Sequence, residues 1–385
     1  MKTSATLFLL STFLLAAPAA SQQTWVIKPD GTGDAPTIQA GIDSASWCDV
    51  VLVECGTYYE HDIQMKSGVI LQGASLTQPC VTIDAEWNGR VIACLNLVQP
   101  TRIEGLILTH GNGEGFPSCG PGCGGAMYVR NSSLSIVNCT FVDNRAWGMQ
   151  YDEGDGGGLY CKNSSPTLTG CTFSHNSAGS GGGMKCYESS ATLSHCTFTD
   201  NATIGLLAVE SSLSLTRSLF IRNHASWWGA GLAVTRPTGP VEISRCTFAA
   251  NYAYEGGAGI FLLPGSDRID VVSTIVAFST RGSAIAVPFG DPDPVTFVSC
   301  NVYGNAGGDW VGEVADQADK NCNFSLDPLF CDADNDDYTL RDTSPCAPGN
   351  HPQGCDFGQI GARSVGCTDT AVEPTTWGRI KTLFR

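Results

Sequence analysis

Six side chains fall at matching places in three consecutive stretches of this chain: Tyr128 and Arg130 in "MYVR", Tyr160 and Lys162 in "LYCK", Lys185 and Tyr187 in "MKCY". Such a group suits an acidic sugar polymer, because Arg and Lys pair with carboxylates while aromatic rings stack on sugar faces. The same cations suit one reaction. In β-elimination from a polyuronate, an Arg or Lys removes the proton α to the carboxylate, and calcium on acidic side chains stabilises the developing enolate. Arg130, Lys162 and Lys185 are the candidate bases. The stretch "NRAWGMQYDEGDGGG" (144–158) adds Trp147 and Tyr151 for stacking, and Asp152, Glu153 and Asp155 as candidate calcium ligands. Equivalent stretches carry Trp227, Trp228, Tyr252, Tyr254 and Glu255. Glu188 and Glu210 share an aligned position with Asn131 and Asn163. Carboxylates on neighbouring strands, about 4.8 Å apart, suit calcium or an acid/base pair. Calcium is therefore the cofactor this chemistry implies. The plainer reading is that tyrosine rings and Lys or Arg stems cover an exposed sheet.

What must position these side chains is a repeat. Aligned on "CTF", one column reads Leu106, Cys139, Cys171, Cys196, Ser218, Cys246, Ser273, Cys300. Two residues on it reads Leu108, Phe141, Phe173, Phe198, Phe220, Phe248, Ile275, Val302, and five on it reads Gly111, Asn144, Asn176, Asn201, Asn223, Asn251, Phe278, Asn305. A second set follows the glycine clusters: Met127, Leu159, Met184, Leu206, Leu232, Ile260, Ile285, with Val129, Cys161, Cys186, Ala208, Val234, Leu262, Val287 two residues later. Each apolar-x-apolar pair has the period of a strand. Units 22 to 33 residues apart cannot bury an apolar face alone, so they must stack. A parallel β-helix fits. A β-propeller blade needs about 40 residues and four strands, more than these units supply.

The cysteine column admits disulfides, metal ligands or plain packing. Stacking puts equivalent Cα atoms about 4.8 Å apart, but parallel Cβ vectors hold the Cβ atoms wider than the preferred ~3.8 Å. No spacing resembles a zinc site. The column alternates with Leu and Ser, so it wants a small buried side chain, and a free Cys is one. Cys139, Cys171, Cys196, Cys246, Cys300, Cys161 and Cys186 are therefore expected as inward, mostly unbridged stacks. Disulfides are expected among Cys48, Cys55, Cys119, Cys123 and the C-terminal cysteines.

These columns resemble the pectin-lyase-like, right-handed parallel β-helix superfamily over most of residues 24–365. "GGAMY" (124–128) and "FVDN" (141–144) are also similar to repeats of chlamydial polymorphic outer-membrane proteins. The resemblance implies an all-β right-handed solenoid. It does not imply one activity, because the superfamily hosts lyases, hydrolases, esterases, epimerases and adhesins. "DGTGD" (30–34) with "TIQAGID" (37–43) is similar to the start of pectin methylesterases, but the family's GxVDFIFG-like and QGRxD-like motifs are absent. Of the polygalacturonase motifs only "GRIK" (378–381) is present, in the tail.

The ends and the composition complete the reading. "MKTSATLFLLSTFLLAAPAA" (1–20) has the charge, apolar run and small-x-small site of a secretory signal peptide. A secreted or surface-held protein is expected, which suits 18 cysteines. A net charge of −16 argues against nucleic acid, and no later run is long enough to span a membrane. Residues 21–48 are expected to cap one end, with Ile38, Ile42 and Ala45 on one helical face. Coils follow over 49–326, a Cys- and Pro-rich cap over 327–367, and a tail over 368–385. "DADNDD" (332–337) departs from a calcium loop where glycine and the last ligand belong. The expected protein is a monomer, extracellular or held at the cell surface, that binds polysaccharide or acts as an adhesin-like or structural surface component; the alternative is a calcium-dependent polyuronate lyase.

Overall fold

In the computed structural model, residues 21–114, 122–147, 154–265, 267–288 and 295–368 are described. Three parallel sheets run the length of a solenoid. The first has 11 strands, from Thr24–Ile27 to Val295–Val298. The second has 10, from Gly56–Tyr58 to Asn301–Tyr303. The third has 9, from Ile63–Gln64 to Ile285–Ala286. One coil shows the plan: Leu134–Val137, Thr140–Val142 and Leu159–Lys162 lie in the first, second and third sheets in turn.

The corner between the first and second sheets needs one left-handed residue per coil. Asn138, His195, Arg217, Arg245, Ser273 and Ser299 take it, with φ between 48° and 55° for all but Arg217 at 47°. The residue after it is the cysteine column, and its chemistry explains the alternation with Ser and Thr. Cys139 Sγ donates to the Val137 carbonyl at 3.4 Å and Cys246 Sγ to that of Ser244 at 3.4 Å. Ser218 Oγ does the same to Thr216 at 2.9 Å, and Thr274 Oγ1 to Val272 at 3.1 Å. The position wants a small buried donor for a corner carbonyl, which satisfies an otherwise buried acceptor. In one coil the aligned columns are one residue early. Phe248 pairs with Val276, and Cys246 N–H donates to Thr274 Oγ1 at 3.3 Å. Thr274, Val276 and Ser279 therefore hold the places assigned to Ser273, Ile275 and Phe278.

Inside the solenoid two stacks run parallel to its axis. Phe141, Phe173, Phe198, Phe220 and Phe248 stack face to face with ring centroids 4.5–4.7 Å apart. Beside them Asn144, Asn176, Asn201, Asn223 and Asn251 form a buried ladder, each side-chain amide donating to the next carbonyl oxygen at 2.9–3.1 Å. The glycines entering the third sheet make room for this. A Cβ at Gly183 would lie 2.4 Å from the Gly205 carbonyl oxygen and 3.0 Å from the Phe198 ring.

The helix Ile38–Ser44 closes one end, capped by Thr37 and burying Ile38 and Ile42. At the other end Val314 is buried in the main core, with Trp310 packed against it. Beyond it, the described part of the C-terminal segment lies along the outer face of the second sheet. Phe324, Phe330, Tyr338 and Ile360 pack there against Leu219, Ile221, Ala249 and Ile275. Arg222 bridges Asp200 and Asp336 across this contact.

Disulfides join Cys55 to Cys80, Cys322 to Cys355 and Cys331 to Cys367. Cys80 was not among the expected partners, and Cys48, which was, is free. Cys48 sits at a left-handed turn of its own, φ 70°. Cys346 is also free, buried against Asn301, whose Nδ2 lies 3.2 Å from its Sγ. Cys119 lies outside the described residues. The seven stacked cysteines are all free and buried, and Cys94 with them. Burial pushes the Cys139, Cys246 and Cys300 thiols up to about 12. Thiolate is the reactive form, so iodoacetamide at pH 8 should leave these peptides unmodified in the native protein and alkylate them after guanidinium unfolding. Native-state labelling of Cys139, Cys246 or Cys300, read by peptide mass spectrometry, would contradict the packing.

Candidate functional site

The third sheet brings the six expected side chains together in the expected register. Tyr128 pairs with Tyr160 and Arg130 with Lys162, then Tyr160 with Lys185 and Lys162 with Tyr187. What differs is exposure. Tyr128 is 1 % and Tyr160 5 % exposed. Their rings stack at 5.6 Å, and Arg90, itself fully buried, lies over Tyr128 at 5.0 Å. Burial raises both tyrosine pKa values and draws that of Arg90 down to about 10 against the opposing pull of Asp62. These rings face outward by register but form a small packed layer, not a free stacking platform. The Lys185 ammonium is committed to Asp155, and Lys162 lies 5.2 Å over the Tyr187 ring. Arg130 is half-buried. Further along, the same outward column becomes apolar: Leu207, Ala233 and Phe261 are buried together, and Trp228 stacks on Phe261 at 5.6 Å.

Among the described residues the candidate carboxylates gather no further than the neighbouring Glu188 and Glu210. Glu210 pairs with Arg236 at 2.8 Å, and Glu188 and Glu210 occupy left-handed turn positions. Together they raise the Tyr187 hydroxyl, Glu188 first. Asp155 is taken by Lys185, and Asp336 of the "DADNDD" turn by Arg222. Among the described residues no group of three or more His, Cys, Asp or Glu side chains could hold a metal. The described carboxylates therefore do not fit calcium. Tyr151, Asp152 and Glu153 lie outside the described residues.

Several exposed aromatics, Trp87, Trp227, Trp228 and Tyr254 among them, are on the turns that lead from the second sheet into the third. These turns stack in register: Asn112 with Arg145, Arg145 with Ser177, Ser177 with Ala202, Ala202 with His224, His224 with Tyr252, and Tyr252 with Arg281. Most of this strip is the residue after each ladder asparagine, so the asparagines fix it. Trp147 and Trp227 line one groove of about 190 Å³, with Gly179, Thr203, Ile204 and Ser226 between them. Trp227 is 64 % exposed. Beyond it His224 stacks on Tyr252 at 4.4 Å, and Arg281 lies 3.9 Å over Tyr254. At the other end Arg145 lies 4.6 Å over Trp87, whose ring meets His110 at 5.0 Å. Sequence reading found Trp147, Trp227, Tyr252 and Tyr254 but not Arg145, Arg281 or Trp87. Arg145 sits directly after Asn144, so the alignment already held its signal; Trp87 and Arg281 fall off the aligned columns.

The family model described as "Right handed beta helix region" matches residues 125–325. No curated protein matches the chain. Among solved structures, a pectate lyase is similar at a TM-score of 0.57 and 12% identity, covering 91% of this chain and 98% of that one. A pectin methylesterase from Aspergillus niger gives a TM-score of 0.35 at 14% identity, over 79% of this chain and 94% of that one. At 12% identity the likeness to the pectate lyase is one of fold.

Proposed function

The chain belongs to the right-handed β-helix family, and we propose that it is a secreted protein that binds extracellular polysaccharide along its stacked turns. The observation that carries this reading is the groove between Trp147 and Trp227. Rigid, half-exposed aromatic rings lose little conformational entropy on binding and present an apolar face with a polar edge. Aromatic and apolar walls with a few hydroxyl and backbone groups are the usual lining of a ligand site, here in a groove smaller than most. His224, Tyr252 and Arg281 continue the strip along the axis, as a linear polymer requires.

A polyuronate lyase is the alternative, and the family's fold and the pectate lyase likeness keep it in view. Its chemistry needs a free base, whereas Lys185 is ion-paired and Lys162 covers Tyr187. Two assays test the binding reading. Incubation with polygalacturonate or alginate plus calcium should give no unsaturated product by absorbance. Affinity electrophoresis in methyl-esterified polygalacturonate, which offers sugar rings without charge, should retard the protein. Trp147→Ala/Trp227→Ala should weaken that retention about tenfold or more, at roughly 1 kcal/mol per ring. Product formation lost in Arg130→Ala or Lys162→Ala would establish the lyase instead. Absence of both product and retardation would leave an adhesin-like or structural surface protein.

A further inference from the structure

On the corner between the first and second sheets, two arginines stand on adjacent rungs, Arg217 and Arg245. Thr216 pairs with Ser244, so Arg217 and Arg245 follow at equivalent positions, about 4.8 Å apart along the axis. Both are exposed, and the backbone N–H of Arg217 donates to the Ser244 carbonyl at 3.0 Å. Exposed His195 precedes them by one rung in the same column. Neither arginine makes an ion pair among the described residues. This is unusual company in a chain with 37 acidic and 21 basic residues. Like charges directly across from each other on neighbouring strands repel, and an anion between them relieves that repulsion.

The two arginines also line a groove. It has a volume of about 430 Å³ and is bounded by Thr216, Ser244, Ser273 and Phe357, within the range of ligand sites. Phe357 comes from the Cys-rich segment. That segment is pinned beside the corner by Gly361 N–H to the Ser273 carbonyl, 2.8 Å, and Ala362 N–H to Thr247 Oγ1, 2.9 Å. Docking of the segment thus supplies an aromatic wall to a cationic floor. A comparable groove on the second sheet is also lined by an arginine, Arg222, but that arginine is ion-paired to Asp200 and Asp336.

We propose that the Arg217–Arg245–Phe357 groove binds the carboxylates of a linear acidic polysaccharide lying parallel to the solenoid axis. Arg receives carboxylates through paired N–H donors, the rung spacing sets successive charges in line, and Phe357 covers a sugar face. The site is separate from the tryptophan groove, which reads sugar rings, so either can fail without the other. The test uses Trp147→Ala/Trp227→Ala, in which the turn groove is removed, and oligogalacturonate as probe, by isothermal titration calorimetry. That variant should still bind, with affinity falling as salt is raised. Adding Arg217→Asn/Arg245→Asn should weaken binding at least tenfold. Asparagine suits the left-handed backbone there, as Asn138 does in the same column, so the fold is kept and circular dichroism checks it. Methyl-esterified oligogalacturonate should not bind the tryptophan variant. Absence of oligogalacturonate binding, binding untouched by the asparagine substitutions, or equal binding of the ester would each overturn the proposal.

Discussion

Replacing Asn201 with leucine should lower the unfolding free energy by about 3–5 kcal/mol, at 1–3 kcal/mol for each buried group left unpaired. Asn201 Oδ1 accepts from both the backbone N–H of Asn176, at 3.1 Å, and its Nδ2, at 3.0 Å. Its own Nδ2 donates to the Phe173 carbonyl, at 2.9 Å, and to Asn223 Oδ1, at 2.9 Å. Leucine keeps the volume and removes every one of these partners. The stranded groups are in the core, Asn176 and Asn201 being 0 % and 1 % exposed, so water does not replace the lost bonds. Low dielectric makes such a ladder costly to interrupt. A guanidinium midpoint shift of this size checks it; a shift under about 1 kcal/mol would mean the ladder is replaceable by packing. Because the ladder sets the turn strip, the same variant should also lose polysaccharide retention.

Phe198→Ala should cost about 3–5 kcal/mol, the usual range for deleting a buried phenylalanine. Phe198 has a ring on each side, Phe173 and Phe220, both at 4.7 Å. Each aromatic pair adds about 0.5–1.5 kcal/mol beyond burial. Phe141 has a ring on one side only among its in-register neighbours, Phe173, with Leu108 on the other. Phe141→Ala should therefore cost less than Phe198→Ala. Thermal unfolding of the two variants side by side separates stacking from simple burial; equal losses would show that the rings act only as apolar volume.

Much of this was legible from spacing because stacking forces equal roles onto equal positions. The phenylalanine, asparagine and cysteine columns are each a physical object: a ring stack, an amide ladder and a row of corner donors. The one slip, at "VVSTIVAFST", follows from Ser273 and Thr274 both being small and hydroxylated. Only the backbone decides, by placing Ser273 in the left-handed corner with φ 48° and Thr274 on the donor position. The site was less legible. Alternation says that Tyr128 and Tyr160 face out of the coil, but not that Arg90, 38 residues earlier than Tyr128 in sequence, folds over the Tyr128 ring. Nor does it place Phe357 beside Arg217 and Arg245, since that depends on a segment docking after the coils end. Columns carry information within the repeat; contacts made across it, from turns and from the C-terminal segment, need the folded chain.

The central claim is that polysaccharide lies between Trp147 and Trp227, and their indole N–H resonances report on it directly. With the protein labelled with nitrogen-15 and titrated with methyl-esterified oligogalacturonate, both signals should shift and fit one dissociation constant, while that of Trp25, on the first sheet, stays fixed. Unmoved Trp147 and Trp227 signals at saturating oligosaccharide would contradict the account.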